Sequence, residues 1–164
     1  MSLNMQNCEK MFYSKFGIMS EQLQKKLGGE IVIVKSSVEI ITEWDIVAAR
    51  QLGRNEAKAL GFGTVDQARI TTAISELARN IYLYARVGSI EIERVEIDDE
   101  RKIVVVASDN GPGIPDIRGI MEGRYRKSEG LGAGLPGVKR LMDTMDVQSI
   151  VGEGTIIRTE KWLR

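Results

Sequence analysis

The chain has 164 residues, 43% of them hydrophobic and 28% charged, and its 23 basic residues are balanced by 23 acidic ones. It is long enough for one domain with a buried core, too apolar for disorder, and without the net charge that draws a protein to nucleic acid or an anionic membrane. No apolar run reaches the roughly 18 residues of a spanning helix, the single cysteine excludes an internal disulfide, and the complete lack of histidine removes any imidazole-dependent catalysis or zinc site carried on this chain.

In residues 8–27, Met11, Phe12, Phe16, Met19, Leu23 and Leu27 recur at spacings of mostly three and four, the mark of an amphipathic helix stopped by Gly28-Gly29. The same pattern suits a partner-binding arm and a helix packed on its own domain. Residues 31–34 and 38–41 are β-branched runs around Lys35-Ser36-Ser37 and read as one or two strands. Thr42-Glu43-Trp44-Asp45 has the form of a capping box, opening a helix to Leu60 with Gly61 as its stop; Thr64-Val65-Asp66-Gln67 reads as a second box, opening a helix to about Arg86.

Residues 89–97 alternate apolar with charged, 98–101 turn, and 102–107 form a nearly all-apolar strand, together a hairpin with a buried second strand. A Gly/Pro-rich loop (110–115), a short helix (116–121), a charged segment (122–134), a helix from Leu135 to about Met145 and a last hairpin turning at Gly152-Glu153-Gly154 complete the chain. This order predicts an α+β fold, a two-layer α/β sandwich with helices on one face of a mixed, mainly antiparallel sheet.

Chemistry gathers in three short stretches. Glu76 and Asn80 lie four apart on the helix opened at Thr64 and share a face, one a carboxylate able to take a proton from a hydroxyl, the other a neutral oxygen ligand for Mg²⁺. Asp109 ends the buried strand just before Gly111-Pro112-Gly113, where an acceptor can meet the exocyclic amine of adenine and the glycines let the backbone approach a base. Gly130, Gly132 and Gly134 lead into Leu135-Pro136 at a helix start, a site for phosphates. A Rossmann reading of Gly132–Gly137 fails because the motif follows a charged segment rather than a strand, and there is no Gly-Lys of a P-loop. Singly, Glu76 and Asn80 suit a solvated helix face and Asp109 a common turn. Together they read as an ATP site of the Bergerat type.

On these residues the chain resembles the GHKL superfamily, and within it the anti-sigma-factor serine/threonine kinases of the RsbT type, the switch kinases of the bacterial stressosome. The similarity runs from about Ile40 to Arg164 through Thr42–Gln51, Ile74–Ile81 and Gly130–Arg140. It implies Glu76 as general base, Asn80 as magnesium ligand, Asp109 on adenine, Gly111 and Gly113 along the base, and Gly130, Gly132 and Gly134 at the phosphates. It also implies that Gly154-Thr155 is a further small box, with the Thr155 hydroxyl supporting Asp109. Residues 1 to about 35 have no counterpart in it, and the charged 122–129 departs from the small, polar lid it implies. Arg124, Arg126 and Lys127 there suit a phosphate clamp or a solvated loop.

The expectation is therefore a helical extension (1–30) before a GHKL ATP-binding kinase domain (31–164), cytoplasmic, using ATP and Mg²⁺. It would phosphorylate STAS-domain antagonist or scaffold proteins and dock a PP2C-type phosphatase, with no nucleic-acid or membrane partner. The alternative is a non-catalytic binding module docking to a sigma factor or phosphatase.

Overall fold

The computed structural model describes residues 31–124 and 134–164; the expected helix of 8–27 and residues 125–133 of the expected lid lie outside them. β1 (Ile31–Ile40) runs through Lys35-Ser36-Ser37 without a break, so the two β-branched runs form one strand. Its backbone pairs along its whole length with β2 (Gly88–Ile97), from Ile31 opposite Ile97 to Ile40 opposite Gly88. A continuous ladder outweighs the weak strand preference of two serines.

The first capping box forms. The Asp45 carboxylate accepts from the N–H groups of Ile41 (3.0 Å) and Thr42 (2.6 Å) and from the Thr42 hydroxyl (2.9 Å), starting α1 (Glu43–Leu60). Those backbone hydrogen bonds, to Thr42 above all, hold the Asp45 carboxyl below its ordinary range. The second box does not form: Gly63 is the N-cap of α2 (Thr64–Asn80), Thr64 already sits in the first turn, and the Gln67 amide donates instead to the Phe62 carbonyl at 2.6 Å. Beyond Asn80 the expected long helix continues as one wide π turn, Ile81–Ala85, closed by Arg86 at φ 72°.

β3 (Glu100–Asp109), β4 (Thr144–Ile150) and β5 (Gly154–Trp162) complete a sheet of order β1-β2-β3-β5-β4 in which every neighbouring pair is antiparallel. The two remaining helices, α3 (Ile117–Met121) and α4 (Leu135–Leu141), lie in the β3–β4 connection. α4 is shorter than its sequence pattern predicts. The Asp143 N–H donates to the Glu160 carbonyl (2.9 Å) and the Asp143 carboxylate accepts from the Trp162 N–H (2.9 Å), drawing the chain into β4.

Ile40, Ile90, Ile92, Ile103, Val105, Ala107 and Ile157 from the strands pack on Ala49, Ala57, Leu60, Ile70, Ile74 and Leu77 from α1 and α2, one core between sheet and helices. The other sheet face carries charge: Lys35 pairs with Glu93 at 2.6 Å, Lys102 and Arg158 both reach Glu160 at 2.9 Å, and Lys102 lies 4.6 Å over the Trp162 ring. Of these, the Lys35–Glu93, Lys102–Glu160 and Lys102–Trp162 contacts cross between strands and help fix the register.

Among the described residues, one core side chain is polar without a partner. Thr159 is fully buried and its hydroxyl finds no hydrogen bond among them. An unmet buried hydroxyl costs about 1–3 kcal/mol, so Thr159→Val is expected to raise the melting temperature by several degrees without changing nucleotide affinity. A lower melting temperature would show that the hydroxyl has a partner.

Candidate nucleotide site

Neighbouring strands bring one end of the sheet into a row: Ile40 opposite Gly88, Gly88 opposite Asp109, Asp109 opposite Thr155. Asp109 stands at the end of the central strand, where its Oδ1 accepts from the Gly111 N–H at 2.8 Å and its carboxylate also takes the Thr155 N–H. Burial pushes its pKa above the ordinary value, and those two N–H bonds offset only part of the push. The Asp-Asn-Gly turn is real, but its carboxylate is a held, half-buried acceptor. A hollow of about 410 Å³ opens beside it, lined in part by Ala85, Gly88 and Asn110.

The loop after Asp109 is tight enough to need its glycines. A Cβ on Gly111 would come within 2.6 Å of the Ala85 Cβ and 2.9 Å of Asp109 Oδ1. Gly113 has φ 74°, and a Cβ there would overlap the Ile150 carbonyl. Gly134 is also left-handed, at φ 58°, with no described atom near its Cβ position; it is the N-cap of α4 with Pro136 in the first turn. Gly130 and Gly132 lie outside the described residues, as do Arg126 and Lys127. Arg124 is described, and it pairs with Glu122 at 2.8 Å.

Glu76 is a buried carboxylate, 8% exposed, with the Arg79 guanidinium 3.9 Å away. Desolvation raises its pKa, and Arg79 pulls the other way with less effect. The result is a stronger base than a surface glutamate. Asn80 ends α2 one turn later, half-buried, where the backbone passes into the π turn. Wide turns of this kind gather at functional sites, where they re-aim the side chains around them. No cluster of three or more acidic, cysteine or histidine side chains among the described residues could hold a metal ion by itself.

Thr155 is buried, and its hydroxyl lies 2.8 Å from that of Ser149. Ser149 is the site residue that sequence reasoning missed. It also accepts from the Ile114 N–H at 2.8 Å and reaches the Gly154 carbonyl at 3.1 Å. The signal for it was the register of the last hairpin, which sets Ser149 opposite Thr155.

Comparison with known proteins matches residues 65–163 to the family described as histidine kinase-, DNA gyrase B-, and HSP90-like ATPase. The chain is 67% identical over 130 residues to the serine/threonine-protein kinase RsbT of Bacillus subtilis (strain 168), covering 79% of this chain and 98% of that one. The chain belongs to this ATPase family. A more distant relative is the anti-sigma F factor of Caldanaerobacter subterraneus subsp. tengcongensis, 31% identical over 102 residues, 58% of this chain and 70% of that one. Among solved structures, that of the RsbU and RsbW domains of Rv1364c from Mycobacterium tuberculosis has the same fold, with a TM-score of 0.53 at 16% identity over 81% of this chain and 33% of that one. For a histidine kinase-, DNA gyrase B- and HSP90-like ATPase, ATP is the nucleotide, and the half-buried acceptor at Asp109 suits its adenine.

The raised carboxyls of Glu76 and Asp109 have a stability consequence of definite sign. A pKa higher in the folded chain than in the unfolded one means that folding favours the protonated form. That contribution is complete below the ordinary values of 4.5 and 3.8 and is lost as pH rises through the raised ones. Glu76→Gln is therefore expected to melt above wild type at pH 7, with the gap closing as pH falls toward 4.5. A gap independent of pH would mean that Glu76 is not desolvated.

Proposed function

We propose that this chain is an ATP-dependent protein serine/threonine kinase that switches partners in sigma-factor and stress regulation. The observation that carries the reading is the buried Glu76 one helical turn before Asn80, on a helix of the ATPase domain, in a chain 67% identical to a serine/threonine kinase. The kinase domain spans 31–164, with 1–30 as an extension, and the protein works in the cytoplasm; no helix among the described residues is long and apolar enough to cross a membrane.

In this reading Asp109 accepts from the exocyclic amine of adenine, with Thr155 beside it and the backbone at Gly111 and Gly113 along the base. Gly130, Gly132 and Gly134 give the phosphates close access to backbone N–H groups. Asn80 is a neutral oxygen ligand of the kind Mg²⁺ takes when phosphates and water fill the rest of its shell; when bound, that ion neutralises phosphate charge. Glu76 takes the proton of the serine or threonine hydroxyl as that oxygen bonds to the γ-phosphorus. The bond from γ-phosphorus to the bridging oxygen breaks, and ADP leaves. A raised pKa suits this role, because a more basic carboxylate holds the transferred proton better.

The acceptors are STAS-domain antagonist or scaffold proteins, and a PP2C-type phosphatase is a second partner. Adding a phosphate places about two negative charges at an interface, enough to break one complex and release the kinase to another. Docking uses the outer face of α1. Trp44 is 81% exposed there, with Ile41 at 52% and Val47 at 51% beside it, and an exposed Trp among apolar neighbours is the usual centre of an interface.

Incubation with Mg-ATP and STAS-domain antagonist or scaffold proteins, followed by mass mapping of phosphate, tests the reading. Wild type is expected to label a serine or threonine, and Glu76→Gln to lose about 10²-fold to 10⁴-fold in rate while still docking. Trp44→Ala is expected to weaken docking by at least about tenfold while leaving ATP affinity unchanged. A wild type that docks and never transfers phosphate would replace the kinase with a binding module.

A further inference from the structure

The β4–β5 hairpin holds the loop that follows Asp109 at two points. The Gly152 N–H donates to the Pro112 carbonyl at 2.9 Å, and the Ser149 hydroxyl accepts from the Ile114 N–H at 2.8 Å. Ser149 is also engaged with Thr155 Oγ1 at 2.8 Å and the Gly154 carbonyl at 3.1 Å. A hydroxyl has one proton and two lone pairs. The Ile114 N–H occupies one lone pair. The Gly154 carbonyl can only accept, so it takes the Ser149 proton. Thr155 must then donate to the second lone pair of Ser149; no other assignment satisfies all three contacts.

The Thr155 proton is thereby committed to Ser149, and its oxygen has only lone pairs left to offer. Asp109 next to it is a carboxylate, also an acceptor. The Asp109 carboxylate and the Thr155 hydroxyl oxygen, neighbours across β3 and β5, thus form a pair of acceptors, while Ser108 and Asn110 line the hollow beside them. A 6-aminopurine offers a donor at that edge and is satisfied; a 6-oxopurine offers a carbonyl oxygen and is repelled. Sites built from buried hydrogen-bonding groups discriminate strongly against a ligand that leaves them unpaired.

We propose that Ser149 is a positioning residue of the nucleotide site, which fixes the Thr155 hydroxyl as an acceptor, clamps the 110–115 loop at Ile114 and so sets the preference for adenine over 6-oxopurine nucleotides. The inference rests on the reading that Asp109 and Thr155 meet the base. It assigns to the last hairpin a role in base selection that neither Glu76 nor the phosphate glycines share.

The test is calorimetry with ADP and with inosine diphosphate, which differ at the 6-position and in the proton on N1, on wild type, Ser149→Ala, Ser149→Thr and Asp109→Asn, with melting temperatures alongside. Wild type is expected to prefer ADP. Ser149→Ala is expected to shrink that preference by about tenfold, roughly the worth of one hydrogen bond, and Ser149→Thr, which keeps the hydroxyl, to restore it. If Ser149→Ala weakens both nucleotides equally, or neither, while Asp109→Asn still lowers the preference, the role of Ser149 is overturned and the base reading stands. If wild type binds both diphosphates alike, the base reading fails and the inference with it.

Discussion

A carboxylate at the end of the central strand constrains everything around it. Asp109 is desolvated enough to raise its pKa, yet it accepts most strongly when ionised, so the fold must supply donors where water is scarce. It supplies two backbone N–H groups, from Gly111 and Thr155. Taking the first forces the chain to double back within two residues, and a side chain at 111 would strike Ala85. Taking the second requires β5 rather than β4 beside β3, which is the strand order observed. The glycine loop and the reversal of the last two strands both serve that one group.

Glu76 raises the same physical question and meets it differently. Arg79, 3.9 Å away and partly exposed, moderates its desolvation without holding the carboxylate in a tight pair. A close bidentate partner would lower the pKa and weaken the base. The two raised carboxyls and the irregular turn after Asn80 are places where local stability is sacrificed, and all three belong to the candidate site.

Much of this was legible because the deciding signals were local. The Thr42 box, the Gly61 stop, the hairpin around 98–99 and the carboxylate–amide spacing on α2 each depend on residues within a turn of one another. Most of the misses are non-local. Ser36-Ser37 stay in β1 because β2 pairs with them, and α4 stops early because Glu160 and Trp162 recruit Asp143. The supposed box at Thr64 failed by one residue, since Gly63 takes the cap, an ambiguity that sequence patterns share at helix ends. Ser149 carried no signal of its own; its importance comes from the strand across from it and a loop 35 residues earlier in sequence.

The same row of paired residues also joins the proposed nucleotide site to the proposed docking face. α1 begins at Glu43, three residues after Ile40, and Ile40, Gly88, Asp109 and Thr155 are successive neighbours across β1, β2, β3 and β5. The exposed apolar face at Ile41 and Trp44 and the paired residues Asp109 and Thr155 therefore stand at one end of a single hydrogen-bonded sheet. No hinge between domains separates them. A partner bound at that face can favour the nucleotide only by binding one nucleotide state better than another, and the nucleotide must then favour the partner by the same factor. For a switch kinase this symmetry is useful. ATP strengthens the complex to be phosphorylated to the extent that the complex strengthens ATP binding. Once the phosphoryl group has moved to the acceptor, its charge at the interface and the ADP in the site act on the same equilibrium.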